Sequence, residues 1–471
     1  MNYIFQRCEN LKSIDFKNFE APSLQNITGL FLNCSNLNKI NLINYNTPNV
    51  QSIDYIFKNC ISLSSLNLSN FQTSNVINMQ GLFYNCNKLQ FLNIDNFVTK
   101  NTKNMKELFY NCTELTSLNL NNFKTDIVTD MSYMFYNCSK LSFLNIEDFI
   151  TKKVTNMEYM FSDCISLASL NLNNFITNNV KSMNNMFSGC ISLLFVNISN
   201  FNLYNVINMQ NMFYNCKNLK SLNTSNFGIS KVQYMQSIFE NCISLTSLDL
   251  SNFYSDNVLN TSNMFKNCEL LNELNLSLFT TKQVSDMSSM FENCFSLKSL
   301  NISKFHTSFV TNMEKMFYNC SKLTSLNLSH FKGNKTKNLN SMFAHCSSLI
   351  ILNLSNFNTP ELTDMDYMLN GCSKLKYANL SLFNDTLLIK STIRNLKELN
   401  IFNGIPDNFI ICLNEGSNYL YQLIKSNANW NINCSKDICT HYHYYDIFGE
   451  IYFTDSDNCP QDYENLIYEN K

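Results

Sequence analysis

Cysteine is the residue type in this 471-residue chain best placed to do chemistry, and it occurs nineteen times. Fifteen cysteines form an arithmetic series: Cys8, Cys34, Cys60, Cys86, Cys112, Cys138, Cys164, Cys190, Cys216, Cys242, Cys268, Cys294, Cys320, Cys346 and Cys372, each 26 residues after the last. A thiol column could carry disulfides or bind metal. No histidine or carboxylate column keeps step with it, and the number is odd. On the wide side of a curved stack, neighbouring Cα atoms would also exceed the ~7 Å reach of a disulfide. The expected role is that of a small buried hydrophobe.

Four cysteines stand off the series: Cys412, Cys434, Cys439 and Cys459. Cys434 and Cys439, with His441 and His443, make four potential zinc ligands, but their spacing is not that of a standard finger. Two disulfides among the four cysteines are the simpler reading if the protein is exported. No metal or other cofactor is expected. Asp455-Ser456-Asp457 is no calcium loop, because Pro460 stands where the turn glycine belongs. His306, His330 and His345 fall on different columns, none with a nucleophile and an acid at motif spacing, and no glycine-rich phosphate loop is present. The expected class is non-enzymatic.

Composition narrows the partners. Charged residues make up 15% and the formal net charge is −2, against a usual charged share of ~25%. A nucleic-acid binder would carry a basic stripe, and a disordered chain would hold fewer than 45% hydrophobic residues. No apolar run approaches the ~18 residues of a membrane span.

The elements that hold these residues follow from the period. A fixed repeat of this length means a solenoid. Leu follows every series cysteine by three residues, from Leu11 to Leu375, and Phe precedes fourteen of them by three, with Leu369 the exception. Met131, Met134, Phe135 and Cys138 are spaced i, i+3, i+4, i+7, which predicts a two-turn helix. Asp130, before the first Met, stands as its N-cap. Leu144-Asn145-Ile146 alternates as a strand does. Each coil is then a strand, a corner, an extended segment and a short helix. Strands stack at ~4.8 Å and helices at ~8–10 Å, so the stack should curve with the sheet inside. The predicted fold is α/β: a curved solenoid of about fifteen coils over residues 1–395. Residues 396–471 form a cysteine-containing cap or the start of a cysteine-rich region.

The segment Leu63-x-x-Leu66-Asn67-Leu68-Ser69-Asn70-Phe71 is similar to a leucine-rich repeat core. With Met-x-x-Met-Phe-x-x-Cys and the 26-residue period, it resembles the BspA-type leucine-rich repeat surface proteins, the DUF285 subgroup, over residues 1 to about 395. Phe71 stands where the ordinary repeat has Asn, so the usual buried Asn ladder is not carried over. The resemblance implies a secreted or surface protein that adheres to, or binds, a protein or glycan on a host, matrix or neighbouring cell.

Candidate binding residues lie on the strands. The outward column is Asn in thirteen coils, including Asn93, Asn145 and Asn197, and stacked amides there would form a ladder or a polar floor. Two positions earlier most coils carry Ser, but Phe91, Phe143 and Phe195 interrupt it every second coil, about 10 Å apart. Exposed aromatics of this kind make a contact stripe; a 52-residue duplication would write the same alternation. Asn67-Leu-Ser69, Asn275-Leu-Ser277 and Asn353-Leu-Ser355 are glycosylation sequons that follow automatically from the repeat. Met1, Ile4, Phe5 and Cys8 already stand in register with no leader, as in a piece of a longer protein. An uncapped first coil would invite end-to-end association. The absence of a leader also admits a cytoplasmic protein-binding scaffold.

Overall fold

The computed structural model describes residues 1–388, 400–413, 420–421, 424 and 431–432. Cys434, Cys439, Cys459, His441, His443 and Asp455 lie outside them.

The chain winds as a solenoid with one coil per 26-residue repeat. Each coil's strand is three residues long and pairs in parallel with the equivalent residues of the next: Ser117 with Phe143, Leu118 with Leu144, Asn119 with Asn145. Leu118 is buried between two exposed neighbours, as the alternation predicts. Inside, Phe57, Phe83, Phe109, Phe135, Phe161 and Phe187 form a single stacked column with ring centroids 5.5–5.9 Å apart. Leu141, Ile146, Phe149, Val154, Met157 and Met160 complete a representative coil, all 2% exposed or less. Each buried side chain of this size stabilises by roughly 1.5–3 kcal/mol, so neighbouring coils share one continuous core.

The predicted short helices are absent from the repeat coils, which turn where helices were expected. Met134 N–H donates to Met131 O at 3.3 Å, Tyr136 to Tyr133 at 3.2 Å and Cys138 to Phe135 at 3.1 Å, all i to i+3 rather than i to i+4. Tyr133 and Asn137 have φ of 58° and 52°, the left-handed conformation required at the third residue of a type II turn. The alternate N–H groups reach the next coil: Tyr133 to Glu158 O, Phe135 to Met160 O and Asn137 to Ser162 O, at 2.8–2.9 Å. A helix would close all these bonds on itself and push the coils apart. Successive turns keep the same inward spacing of Met131, Met134, Phe135 and Cys138 while bonding sideways. Positive φ at Tyr133 costs about 1–2 kcal/mol, and the inter-coil bonds offset it. Helix thickness, the physical reason to expect curvature, is therefore missing from these coils. The N-cap contact survives without its helix: Asp130 Oδ1 accepts the Ser132 N–H at 2.8 Å.

The third side is held by a buried threonine column. Thr151 Oγ1 donates to Ile176 O at 2.9 Å and accepts the Ile176 N–H at 2.8 Å. Thr73, Thr99, Thr125, Thr177, Thr281 and Thr307 bond in the same two ways to the coil that follows. After the last regular coil the sheet continues. Ile410–Leu413 pairs with Tyr377–Leu380, and Asn431–Ile432 pairs with Ile410 and Ile411.

Replacing Thr151 by Val keeps its shape but orphans both the N–H and the C=O of Ile176. Ile176 itself is exposed and the two bonds are part-buried, so each lost bond costs about 0.5–1.5 kcal/mol. Chemical denaturation should therefore show Thr151→Val clearly destabilised, while Thr151→Ser stays near the parent.

Candidate functional site on the strand face

The strand face is built from every second residue of the short strands. Phe91, Phe143 and Phe195 project from it and are 72%, 55% and 56% exposed. Each begins a strand (Phe91–Asn93, Phe143–Asn145, Phe195–Asn197), and each faces a serine of the preceding coil: Ser65, Ser117 and Ser169. The hydrogen-bonded ladder is interrupted along this stretch. Ser65–Asn67 pairs with Phe91–Asn93, Ser117–Asn119 with Phe143–Asn145 and Ser169–Asn171 with Phe195–Asn197, as three separate two-stranded sheets. At the breaks after the first two phenylalanine strands, the inward leucines Leu92 and Leu144 are only partly buried, whereas Leu66, Leu118 and Leu170 are buried. Phe91 and Phe143 thus stand beside openings in the sheet that expose additional apolar surface.

The strand asparagines act differently from the expected amide ladder. Asn93 Oδ1 accepts the Asp95 N–H at 3.2 Å, Asn145 Oδ1 that of Glu147 at 3.4 Å and Asn197 Oδ1 that of Ser199 at 3.3 Å. These are Asx turns that end each strand. Asn197 also donates to Asn171 Oδ1 at 3.3 Å, the one rung between strand asparagines among the described residues. Their oxygens are committed to the backbone, and each stands two residues from a phenylalanine on the same strand.

The amide ladder runs in another column, directly before the cysteines. Asn59 donates to Asn33 at 2.6 Å, Asn85 to Asn59 at 2.9 Å, Asn111 to Asn85, and Asn137 to Asn111 at 2.6 Å. It resumes from Asn241 through Asn267 and Asn293 to Asn319. A signal for it was present in the sequence. The column holds Asn, Asp, Gly and His almost exclusively, the residues that tolerate positive φ, and all those Asn have it.

The cysteine column is chemically quiet. All fifteen thiols are free, and all but Cys8 are buried. Cys138 Sγ donates to Phe109 O of the preceding coil at 3.2 Å, and the pattern repeats from Cys34 to Cys372. Burial pushes the thiols of Cys242, Cys294 and Cys372 up to about 12 from an ordinary 9.0. Cys412 is disulfide-bonded. The histidines do not converge. His330 Nε2 meets Ile302 O at 3.0 Å and burial holds its pKa below the ordinary value; His306 Nδ1 meets Lys304 O at 2.8 Å; the His345 ring lies edge-on to Tyr318. No helix among the described residues is long and apolar enough to cross a membrane.

These thiols set an alkaline limit. Unfolded, they ionise near 9.0; folded, the three named above hold their protons to about 12. Raised folded values leave stability intact below the unfolded pKa and remove it as pH climbs toward the folded one. Circular dichroism over an alkaline titration should show unfolding begin between pH 9 and 12. In the folded protein at pH 8, iodoacetamide should leave the fourteen buried thiols unmodified.

The family described as "Mycoplasma protein of unknown function, DUF285" matches residues 1–118, 103–221, 191–300 and 271–383. No curated protein matches the chain. Solved structures similar to it include a leucine-rich repeat protein from Bacteroides ovatus, at 18% identity over 88% of this chain and 86% of that one, with a TM-score of 0.45. A leucine-rich cell surface protein from Faecalibacterium prausnitzii is 16% identical over 79% and 87%, TM-score 0.35. The functional domain of InlJ from Listeria monocytogenes, which includes a cysteine ladder, is 14% identical over 86% and 73%, TM-score 0.21.

Proposed function

The chain belongs to the DUF285 family, the BspA-like leucine-rich repeats, and from that premise we propose that it is a non-enzymatic adhesion module of a cell surface or secreted protein. Its partner is a protein or glycan on a host, matrix or neighbouring cell. The observation that carries this reading is the row of exposed rings, Phe91, Phe143 and Phe195, on the strand face. Exposed aromatic side chains surrounded by Ser and Asn cost solvation and add nothing to the core, while aromatic anchors dominate the energetics of protein contacts. The openings beside Phe91 and Phe143 favour insertion of a partner's apolar groups. Asn93, Asn145 and Asn197 then supply amide donors at the rim.

The disulfide at Cys412 supports an oxidising compartment and so export. On protein from its natural source, alkylated before and after reduction under denaturing conditions, intact mass should give fifteen free thiols with the tail cysteines locked. Nineteen free thiols would instead make the protein a cytoplasmic scaffold using the same face.

The stripe itself is tested by replacing Phe91, Phe143 and Phe195 together with Ser, the residue already found at this position in intervening coils. Melting temperature should stay within a few degrees of the parent. Retention of the immobilised protein on matrix-coated and host-cell surfaces should fall at least about tenfold, the equivalent of one lost anchor of ~1.4 kcal/mol. Undiminished retention would remove the strand face from the binding site.

A further inference from the structure

The turn side carries a second aromatic array, separate from the strand face. Tyr84 stacks on Tyr110 at 4.2 Å, Tyr110 on Tyr136 at 4.7 Å, and Tyr133 on Tyr159 at 4.7 Å. Tyr136 and Tyr159 meet edge to face at 6.1 Å. The array begins where Lys58 stands, its Nζ 4.1 Å from the Tyr84 ring centroid and 4.6 Å from that of Tyr55. That end of the stack is closed by an ammonium from the same chain.

At the other end three columns change together. The position after Tyr110 and Tyr136 becomes Ser162 and then Ser188, and the one after Tyr133 and Tyr159 becomes Asn185. No further ring covers Tyr136 or Tyr159 from that side among the described residues. In the same two coils the asparagine ladder is replaced by Asp163 and then Gly189. A carboxylate cannot donate to Asn137 Oδ1 as an amide does, so the ladder stops. The Asp163 carboxylate occupies the space over Gly189, where an added Cβ would overlap its oxygen.

Asp163 is half-buried and accepts from the Ser162 hydroxyl at 3.2 Å. No lysine or arginine among the described residues pairs with it, whereas Glu107, two coils earlier, has Lys106 at 3.8 Å. Burial raises the Asp163 pKa, and its charge, after burial, helps push the Tyr136 phenol up. A carboxylate held partly out of water near Tyr136, and in the same coil as Tyr159, lacks a counter-ion that would offset its desolvation. Lys58 shows, at the opposite end of the same stack, which group such rings accept.

We propose that Tyr136, Tyr159 and Asp163 form a receptor for the ammonium tip of a lysine side chain presented by a partner protein. The rings receive the cation through their faces, and Asp163 accepts its N–H in a charge-assisted hydrogen bond. Small polar side chains, the buried Ser162 and Asn185 and the half-buried Ser188, stand at this end where rings stood in earlier coils. A quaternary ammonium has no hydrogen for the carboxylate and fits the same place less well.

The experiment uses the full chain, with Nα-acetyl-lysine amide as probe, followed by ligand-observed NMR. Its uncharged norleucine analogue and tetramethylammonium are run alongside. The lysine probe should saturate, the norleucine analogue should not bind, and tetramethylammonium should bind more weakly. Asp163→Asn should weaken the lysine probe about tenfold, in the range of a lost charged contact. The same change supplies the amide that extends the ladder to Asn137, so the melting temperature should hold or rise. Tyr159→Ser, at the outer edge of the array, should weaken the probe without Asp163 being touched. Equal affinity for the parent and Asp163→Asn, no saturable binding by the parent, or tetramethylammonium binding as tightly as lysine would each overturn the assignment.

Discussion

Every coil of this protein must bond to its neighbours at strand spacing on all of its sides. The strand side meets this with a parallel ladder, as at Ser117–Asn119 against Phe143–Asn145. The turn side meets it with alternate N–H groups, such as Tyr133 to Glu158. The third side meets it with a hydroxyl that both gives and takes, as at Thr151 and Ile176. Because the backbone has few donors to spare, side chains are drafted as backbone substitutes. The abundance of Asn, Ser and Thr follows from that need. A 26-residue period without insertions is the sequence form of the same constraint, since one extra residue would take every column out of step with the next coil.

Much of this was legible in the sequence. The cysteine series fixed the number and length of coils, the leucine alternation located the strands, and the outward position of Phe91, Phe143 and Phe195 followed from it. The turn side is ambiguous in sequence because Met131, Met134, Phe135 and Cys138 satisfy a helical period while a run of type II turns satisfies it equally. The deciding residues were those at positive φ. Asn137 and its column carry that mark openly, but Tyr133 does not, because an aromatic residue is a poor indicator of left-handed backbone. The site of the amide ladder is ambiguous for a similar reason. Both the Asn145 and the Asn137 columns are Asn in most coils, and only the hydrogen-bond directions separate an Asx turn from a stacked rung.

The two faces of the solenoid are specialised by departures from its own pattern. On the strand side, a ring replaces Ser at the second strand of each of three consecutive pairs, and the sheet opens behind two of them. On the turn side, tyrosines accumulate over successive coils and end together with the ladder at Asp163 and Gly189. Neither departure uncovers the buried Phe, Met or Cys columns beneath them; among the inward side chains of these coils, the strand leucines Leu92 and Leu144 are partly exposed. The core therefore fixes position while the outward columns are free to vary, so a binding surface changes at little cost in stability.

The hydrogen bonds between coils all point along the stack, which gives the protein a particular response to force. Tension between its two ends pulls along that direction, and a coil bonded to a neighbour on one side gives way before those bonded on both. The chain should then yield one coil at a time. Each release frees 26 residues of ~3.3–3.6 Å each, lengthening the tether by about 90 Å. A molecule of this build would behave under load as a graded extension rather than a rod that fails at once.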